Sequence, residues 1–261
     1  MHNAGIGVRA RKSLGQNFLL HQATAERIAD AAGLTGEDVV LEIGPGTGML
    51  TRALLARAKK VVAVEADREL YDELAGTFAE ALGEGRLILI YGDVRTFDPV
   101  EFFDGPYKVV ANIPYYITGE LVRRFLTIER QPSSITFLVQ KEVAERIART
   151  KKESILSLSV KAYGVPKYAF TVPRGAFTPA PKVDSAVLTI TDISRDAFAS
   201  RAAEERFFAL VHAGFAHKRK LLSSNLAELI SPAALRAAGI PEKARAEDLP
   251  LSAWLSLAKS A

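Results

Sequence analysis

The chain has 261 residues, 48% hydrophobic and 25% charged, which is the composition of an ordinary globular protein and leaves room for one large domain with a small companion. It contains no cysteine, which excludes disulfides, thiolate nucleophiles and cysteine zinc sites, and no apolar run reaches the roughly 18–20 residues of a membrane span. Lys and Arg total 34 against 30 Asp and Glu, and the resulting +4 is a mild basic excess compatible with a polyanionic partner. No long apolar stretch follows the basic N-terminus, so a secretory signal is not expected and the chain is assigned to the cytoplasm.

Along the chain, strands and helices alternate. Residues 24–32 have helical spacing and end at Gly33. Short apolar runs at 38–43, 60–64, 86–91, 107–111 and 135–139 read as buried strands, with helices at 49–58 and 68–81. Residues 183–191 alternate as a late strand. This order predicts an α/β fold built on a parallel, doubly wound, Rossmann-like sheet. Beyond about residue 193 the pattern becomes helical, with helices expected at 201–213, 219–229, 232–238 and 251–258 and prolines between them. The expected division is therefore a domain of residues 1–193 and a small all-helical domain of 194–261.

Chemistry concentrates at the strand ends. Glu42-Ile43-Gly44-Pro45-Gly46-Thr47-Gly48 is a glycine loop between a strand and a helix, where Gly44 and Gly46 let backbone approach a ligand. Met49 stands where a dinucleotide fingerprint requires its third glycine, so a nucleoside lacking a pyrophosphate fits better. Glu65 lies about 20 residues on, where a carboxylate accepts from both ribose hydroxyls, and Asp67 is positioned to cap the next helix. Asp93, after the third strand, is suited either to accept from an adenine amino group or to serve as a turn residue.

After the fourth strand comes Asn112-Ile113-Pro114-Tyr115. The N6 amine of adenine is a poor nucleophile because its lone pair is delocalised into the ring. The Asn112 side-chain oxygen and the Ile113 carbonyl make an acceptor pair for its two hydrogens, favouring a tetrahedral nitrogen. Pro114 restricts the residue before it and aims that carbonyl, and Tyr115 is placed to stack on an extruded base.

These residues resemble the small-subunit (16S) rRNA adenine N6,N6-dimethyltransferases, the KsgA/RsmA family. The likeness covers nearly the whole chain: Leu14–Leu19, the glycine loop, Glu65, Gly92-Asp93, Asn112–Tyr115, Gln140–Glu142, Phe177–Ser185 and Phe215–Leu222. The resemblance implies S-adenosylmethionine as methyl donor, with Gln16, Asn17, Leu19, Ala66 and Val94 joining Gly44, Gly46, Glu65, Asp93 and Asn112 around it. It also implies that residues 1–20 contribute to the site and that Phe177 stacks on the target adenine opposite Tyr115. The implied substrate is a pair of adjacent adenosines in a hairpin loop near the 3′ end of small-subunit rRNA, met in an immature 30S-type subunit by a monomeric enzyme without membrane attachment.

The chain departs from that family at Ser154–Val160, where Tyr-Gly is common, and at His217–Lys220, where two arginines are usual. Candidate RNA contacts are Arg9, Arg11 and Lys12; Arg146, Arg149, Lys151 and Lys152; and Lys218, Arg219 and Lys220, each equally a solvated basic face. The alternatives are the related large-subunit methyltransferase of macrolide resistance, which shares the Asn-Ile-Pro-Tyr string, and a non-catalytic assembly factor on the same fold. The four histidines lack metal-ligand spacing, and no metal is expected.

Overall fold

The computed structural model describes residues 15–260; the basic residues Arg9, Arg11 and Lys12 lie outside them. A short β1 (Phe18–Leu19) and α1 (Gln22–Ala31) precede β2 (Val39–Ile43), α2 (Met49–Leu55), β3 (Lys60–Glu65), α3 (Arg68–Thr77), α4 (Ala79–Gly83), β4 (Leu87–Tyr91), β5 (Lys108–Asn112), α5 (Thr118–Thr127) and β6 (Ser134–Gln140). Next come α6 (Lys141–Ala148), α7 (Ile155–Tyr163), β7 (Val165–Val172), β8 (Phe177–Thr178) and β9 (Ser185–Thr191). The chain ends in α8 (Arg201–Gly214), α9 (Leu222–Asn225), α10 (Pro232–Ala237) and α11 (Leu251–Ser260).

Seven strands form one sheet in the order β4-β3-β2-β5-β6-β9-β7, and β1 pairs with β8 in a separate two-stranded ribbon. β2 to β6 run parallel, and β9 enters antiparallel to β6, with Phe137 opposite Leu188. The sheet is thus mixed at one side, where a wholly parallel one was expected. β7 was not anticipated because Pro166 interrupts its pattern; it is the edge strand, where a missing N–H costs least. The expected helix over 68–81 breaks at Phe78, whose φ of −111° and ψ of 26° are not helical.

Two compact units result, one of residues 15–144 and 167–191 and one of 145–166 and 192–260. The expected boundary at 193–194 made the second unit continuous. It also takes residues 145–166, because Leu158 and Ala162 of α7 are buried in the same core as Phe207, Leu210, Leu226 and Trp254. The departure at Ser154 has a local meaning there. Ser154 and Ser157 exchange side-chain and backbone bonds as a capping box that starts α7.

In this second unit the helix expected over 219–229 shrinks to α9. Leu221 is extended, and Ser223, Ser224 and Asn225 are indifferent helix formers. The Asn225 amide instead donates to the carbonyls of Gly214 (2.6 Å) and His217 (3.2 Å), fixing the turn that carries the exposed Lys218, Arg219 and Lys220.

Candidate active site

The path of the chain puts the site at one end of the sheet. From β2 it runs outward through β3 to β4, then returns to β5 on the other flank of β2. Connections leaving β2 and β5 therefore diverge, and a crevice opens at the carboxyl ends of the two strands. Register aligns those ends: Ile43 lies opposite both Val64 and Ala111, and Glu65 lies opposite Tyr91. Every residue expected at the site except Phe177 lines this single cleft.

The three glycines of the loop do different work. All have positive φ, which a side chain would strain. A Cβ on Gly48 would stand 2.5 Å from the Phe78 ring and 2.9 Å from Leu74, so this glycine lets α2 start against α3. A Cβ on Gly46 would meet the Phe18 ring at 3.1 Å. At Gly44 a Cβ would meet nothing within 4 Å, so its missing side chain keeps open space at the cleft wall. Gly48→Ala should therefore lower the melting temperature through overpacking, at a cost of roughly 1–3 kcal/mol. Gly44→Ala carries the same backbone strain without the clash, so it should lose less stability than Gly48→Ala and should lose ligand affinity as well. Thermal melts and calorimetry on the pair check this, and equal melting points would refute it.

Glu65 is 4% exposed at the end of β3. One carboxyl oxygen accepts from Gly46 N (3.0 Å) and the other from Asp67 N (2.9 Å), tying the glycine loop to the next strand. Burial raises its pKa, and these two N–H groups oppose the rise. Each oxygen keeps a further lone pair for a ribose hydroxyl. Asp67 caps α3 as expected, accepting from Glu69 N at 3.0 Å, and also accepts from Gln16 Nε2 at 3.3 Å.

Asp93 has a partner that sequence reading missed. Arg95 closes a two-pronged ion pair on its carboxylate (2.5 and 2.9 Å) and, with the backbone N–H of the same residue, holds its pKa below the usual value. A carboxylate so paired is ionised, and Arg95 would have to give up one of its four hydrogen bonds there for an adenine amino group to donate. Ala66 and Val94, next to the two acids, line the wall.

Asn112 ends β5. Its Nδ2 donates to the Asn17 carbonyl at 2.8 Å, which settles which way the amide points and leaves Oδ1 as the acceptor for an incoming N–H. Ile113 is 2% exposed, so the strand end is anchored where its carbonyl begins. Tyr115 is half-buried, and its hydroxyl meets the Ser185 hydroxyl at 2.6 Å. Burial raises its phenol pKa. Ser185 is a positioning residue that the sequence did not single out as such.

Phe177 is the exception. Its ring is 3% exposed in the core beneath β1, opposite Leu19 in the β1–β8 pair, and it does not line the cleft. The ring is enclosed by core packing, Leu19 included, so a base reaches it only if that ring moves. Among the described residues no group of three His, Cys, Asp or Glu side chains is placed to hold a metal.

With this geometry the comparisons with known proteins agree. The ribosomal RNA adenine dimethylase family matches residues 7–261. The chain belongs to that family. It is 42% identical over 262 residues to the ribosomal RNA small subunit methyltransferase A of Dehalococcoides mccartyi (strain CBDB1), covering 97% of this chain and 89% of that one. Among solved structures it resembles the 23S rRNA methyltransferase ErmE, with 29% identity, a TM-score of 0.77, and 94% and 99% of the two chains covered. A dimethyladenosine transferase from Plasmodium falciparum gives 26% identity and a TM-score of 0.77, covering 92% and 95%.

Enzymes of this family take their methyl group from S-adenosylmethionine, and the cleft of this member fits that cofactor. Gly44 leaves room at the wall, Glu65 would hold a ribose, and Asp93 would accept from an adenine. Glu65→Ala should weaken cofactor binding by roughly 1–3 kcal/mol, the scale of hydrogen bonds to a charged group. Unchanged affinity by calorimetry would remove Glu65 from that role.

Proposed function

We propose that this chain transfers methyl groups from S-adenosylmethionine to N6 of adenine in small-subunit rRNA, two to each of a pair of adjacent adenosines in a hairpin loop near the 3′ end. The observation that carries this is the Asn112 amide, pinned by the Asn17 carbonyl so that Oδ1 is free to accept. The cofactor supplies an electrophilic methyl on a cationic sulfur. The chain's residues do the rest. Asn112 Oδ1 and the Ile113 carbonyl accept the two N6 hydrogens, drawing the nitrogen lone pair out of conjugation and toward the methyl. Tyr115, held by Ser185, supplies a face for the extruded base. No strong base is required, because the nitrogen is cationic once alkylated and sheds its proton to water. A second transfer to the same nitrogen needs only one of the two acceptors, so a monomethylated amine still binds productively.

The test is to incubate the protein with labelled S-adenosylmethionine and separated small and large ribosomal subunits, then map the modified adenines. Label confined to small subunits supports the proposal; label on large subunits favours the activity named for ErmE. We assign RNA docking in part to the Lys218–Lys220 turn, because Asn225 holds that turn and all three cations are exposed. Neutralising all three should weaken binding to small subunits and flatten its salt dependence, by roughly 0.7–0.9 in slope per lost phosphate contact. An unchanged slope would reduce the turn to a solvated face. The immature subunit as substrate, a monomeric state and a cytoplasmic setting complete the proposal.

A further inference from the structure

Two consecutive tyrosines follow Pro114 in very different surroundings. Tyr115 is half-buried and tied to Ser185, whereas Tyr116 is 66% exposed at the mouth of the same cleft. Of the exposed large apolar side chains among the described residues, Tyr116 is the one that lines the cleft. A Cβ on Gly15 would stand 3.1 and 3.3 Å from two Tyr116 ring carbons, so the bare backbone of Gly15 backs one face of the ring. Arg95, paired with Asp93, lines the same cleft. An aromatic plane at the rim of a cleft is the arrangement that takes an unstacked nucleobase.

We infer that Tyr116 is a second stacking platform, which holds the nucleobase next to the target adenosine while that adenosine enters the cleft. This rests on the proposed function and adds how the substrate strand is registered: one base goes in past Tyr115 and its neighbour is caught outside on Tyr116. In a substrate with two adjacent adenosines, the caught base is the other target when one of the pair enters the cleft and a nucleotide outside the pair when the other does, because the strand runs past the platform with one polarity.

The experiment compares Tyr116→Ala, Tyr116→Phe and Tyr116→Trp on small ribosomal subunits that lack the adenine methylation, with labelled cofactor. Tyr116→Ala should raise the KM for subunits roughly 5- to 150-fold, the range for a lost base–aromatic stack. Tyr116→Phe and Tyr116→Trp should stay within about twofold of wild type, and all three should keep the wild-type melting temperature. A wild-type KM in Tyr116→Ala overturns the platform, and so does a Tyr116→Phe as poor as Tyr116→Ala, since the hydroxyl rather than the ring would then matter. If wild-type protein places no methyl on small subunits, the functional reading falls and the platform with it; if it does so and only the variants disagree, the platform alone falls.

Discussion

Replacing Asn112 with alanine should lower kcat for methyl transfer on the order of 10²-fold or more while much of the cofactor affinity remains. The size follows from the role: an acceptor that strengthens as the amine turns tetrahedral acts on the transition state more than on the bound substrate, and single groups of that kind contribute on this scale. The structure adds a second reason. Alanine also removes the Nδ2 bond to the Asn17 carbonyl, which ties the residues before β1 to the end of β5. Aspartate separates the two effects. Asn112→Asp keeps an acceptor but has no donor for Asn17, so it should bind cofactor less well than wild type and retain more turnover than Asn112→Ala. Single-turnover kinetics with small subunits reads both, and a wild-type kcat in Asn112→Ala would sink the mechanism.

The second large effect concerns Glu42, which is fully buried in β2, at the cleft. Neither of its carboxyl oxygens nor the Thr51 hydroxyl beside it closes a hydrogen bond among the described residues. Burial, with a smaller contribution from the Glu65 carboxylate, pushes its pKa from an ordinary 4.5 up to about 8. The folded protein therefore keeps a proton here that the unfolded chain releases near pH 4.5. Stability from this group is undiminished below that pH, declines as pH rises through the interval, and is lowest above about pH 8. Glu42→Gln cannot ionise, so its stability relative to wild type should climb from near neutral at pH 5 to a gain on the order of 4 kcal/mol at pH 9. Denaturant unfolding of both proteins at the two pH values gives the difference directly. Parallel curves would mean that Glu42 is ionised and solvated in the folded state.

Much of this site could be read before any coordinates, for a physical reason. Its parts follow strand ends, and buried parallel strands announce themselves as short apolar runs bounded by glycine or acid. Glu65, Asp93 and Asn112 were legible because each follows such a run. What escaped was set by contacts across long separations. Arg95 is an ordinary arginine until it is seen clasping Asp93, and Ser185 an ordinary serine until Tyr115 is found against it, 70 positions away. Phe177, which the family resemblance turns toward the substrate, has its ring in the core with Leu19 here, a burial set by segments far apart in the chain. The small unit was misdivided because a helix joins a core by which face is apolar, not by where it falls in the chain. α7 lies before β7 and β9, yet its Leu158 packs with Trp254.

The β1–β8 ribbon has a consequence for the protein's own synthesis. Phe18 pairs with Thr178, and the two are about 160 residues apart. At roughly 5–20 residues per second, translation delivers the second strand some 8–30 s after the first. Over that interval the central strands β2 to β6 emerge and can find one another, while β1 lacks its strand partner. The strand partner that fixes the segment carrying Asn17 therefore comes late, and the Asn17–Asn112 bond should become secure only after most of the sheet exists. The nascent chain is thus expected to assemble its central sheet before the β1–β8 ribbon at the cleft edge closes.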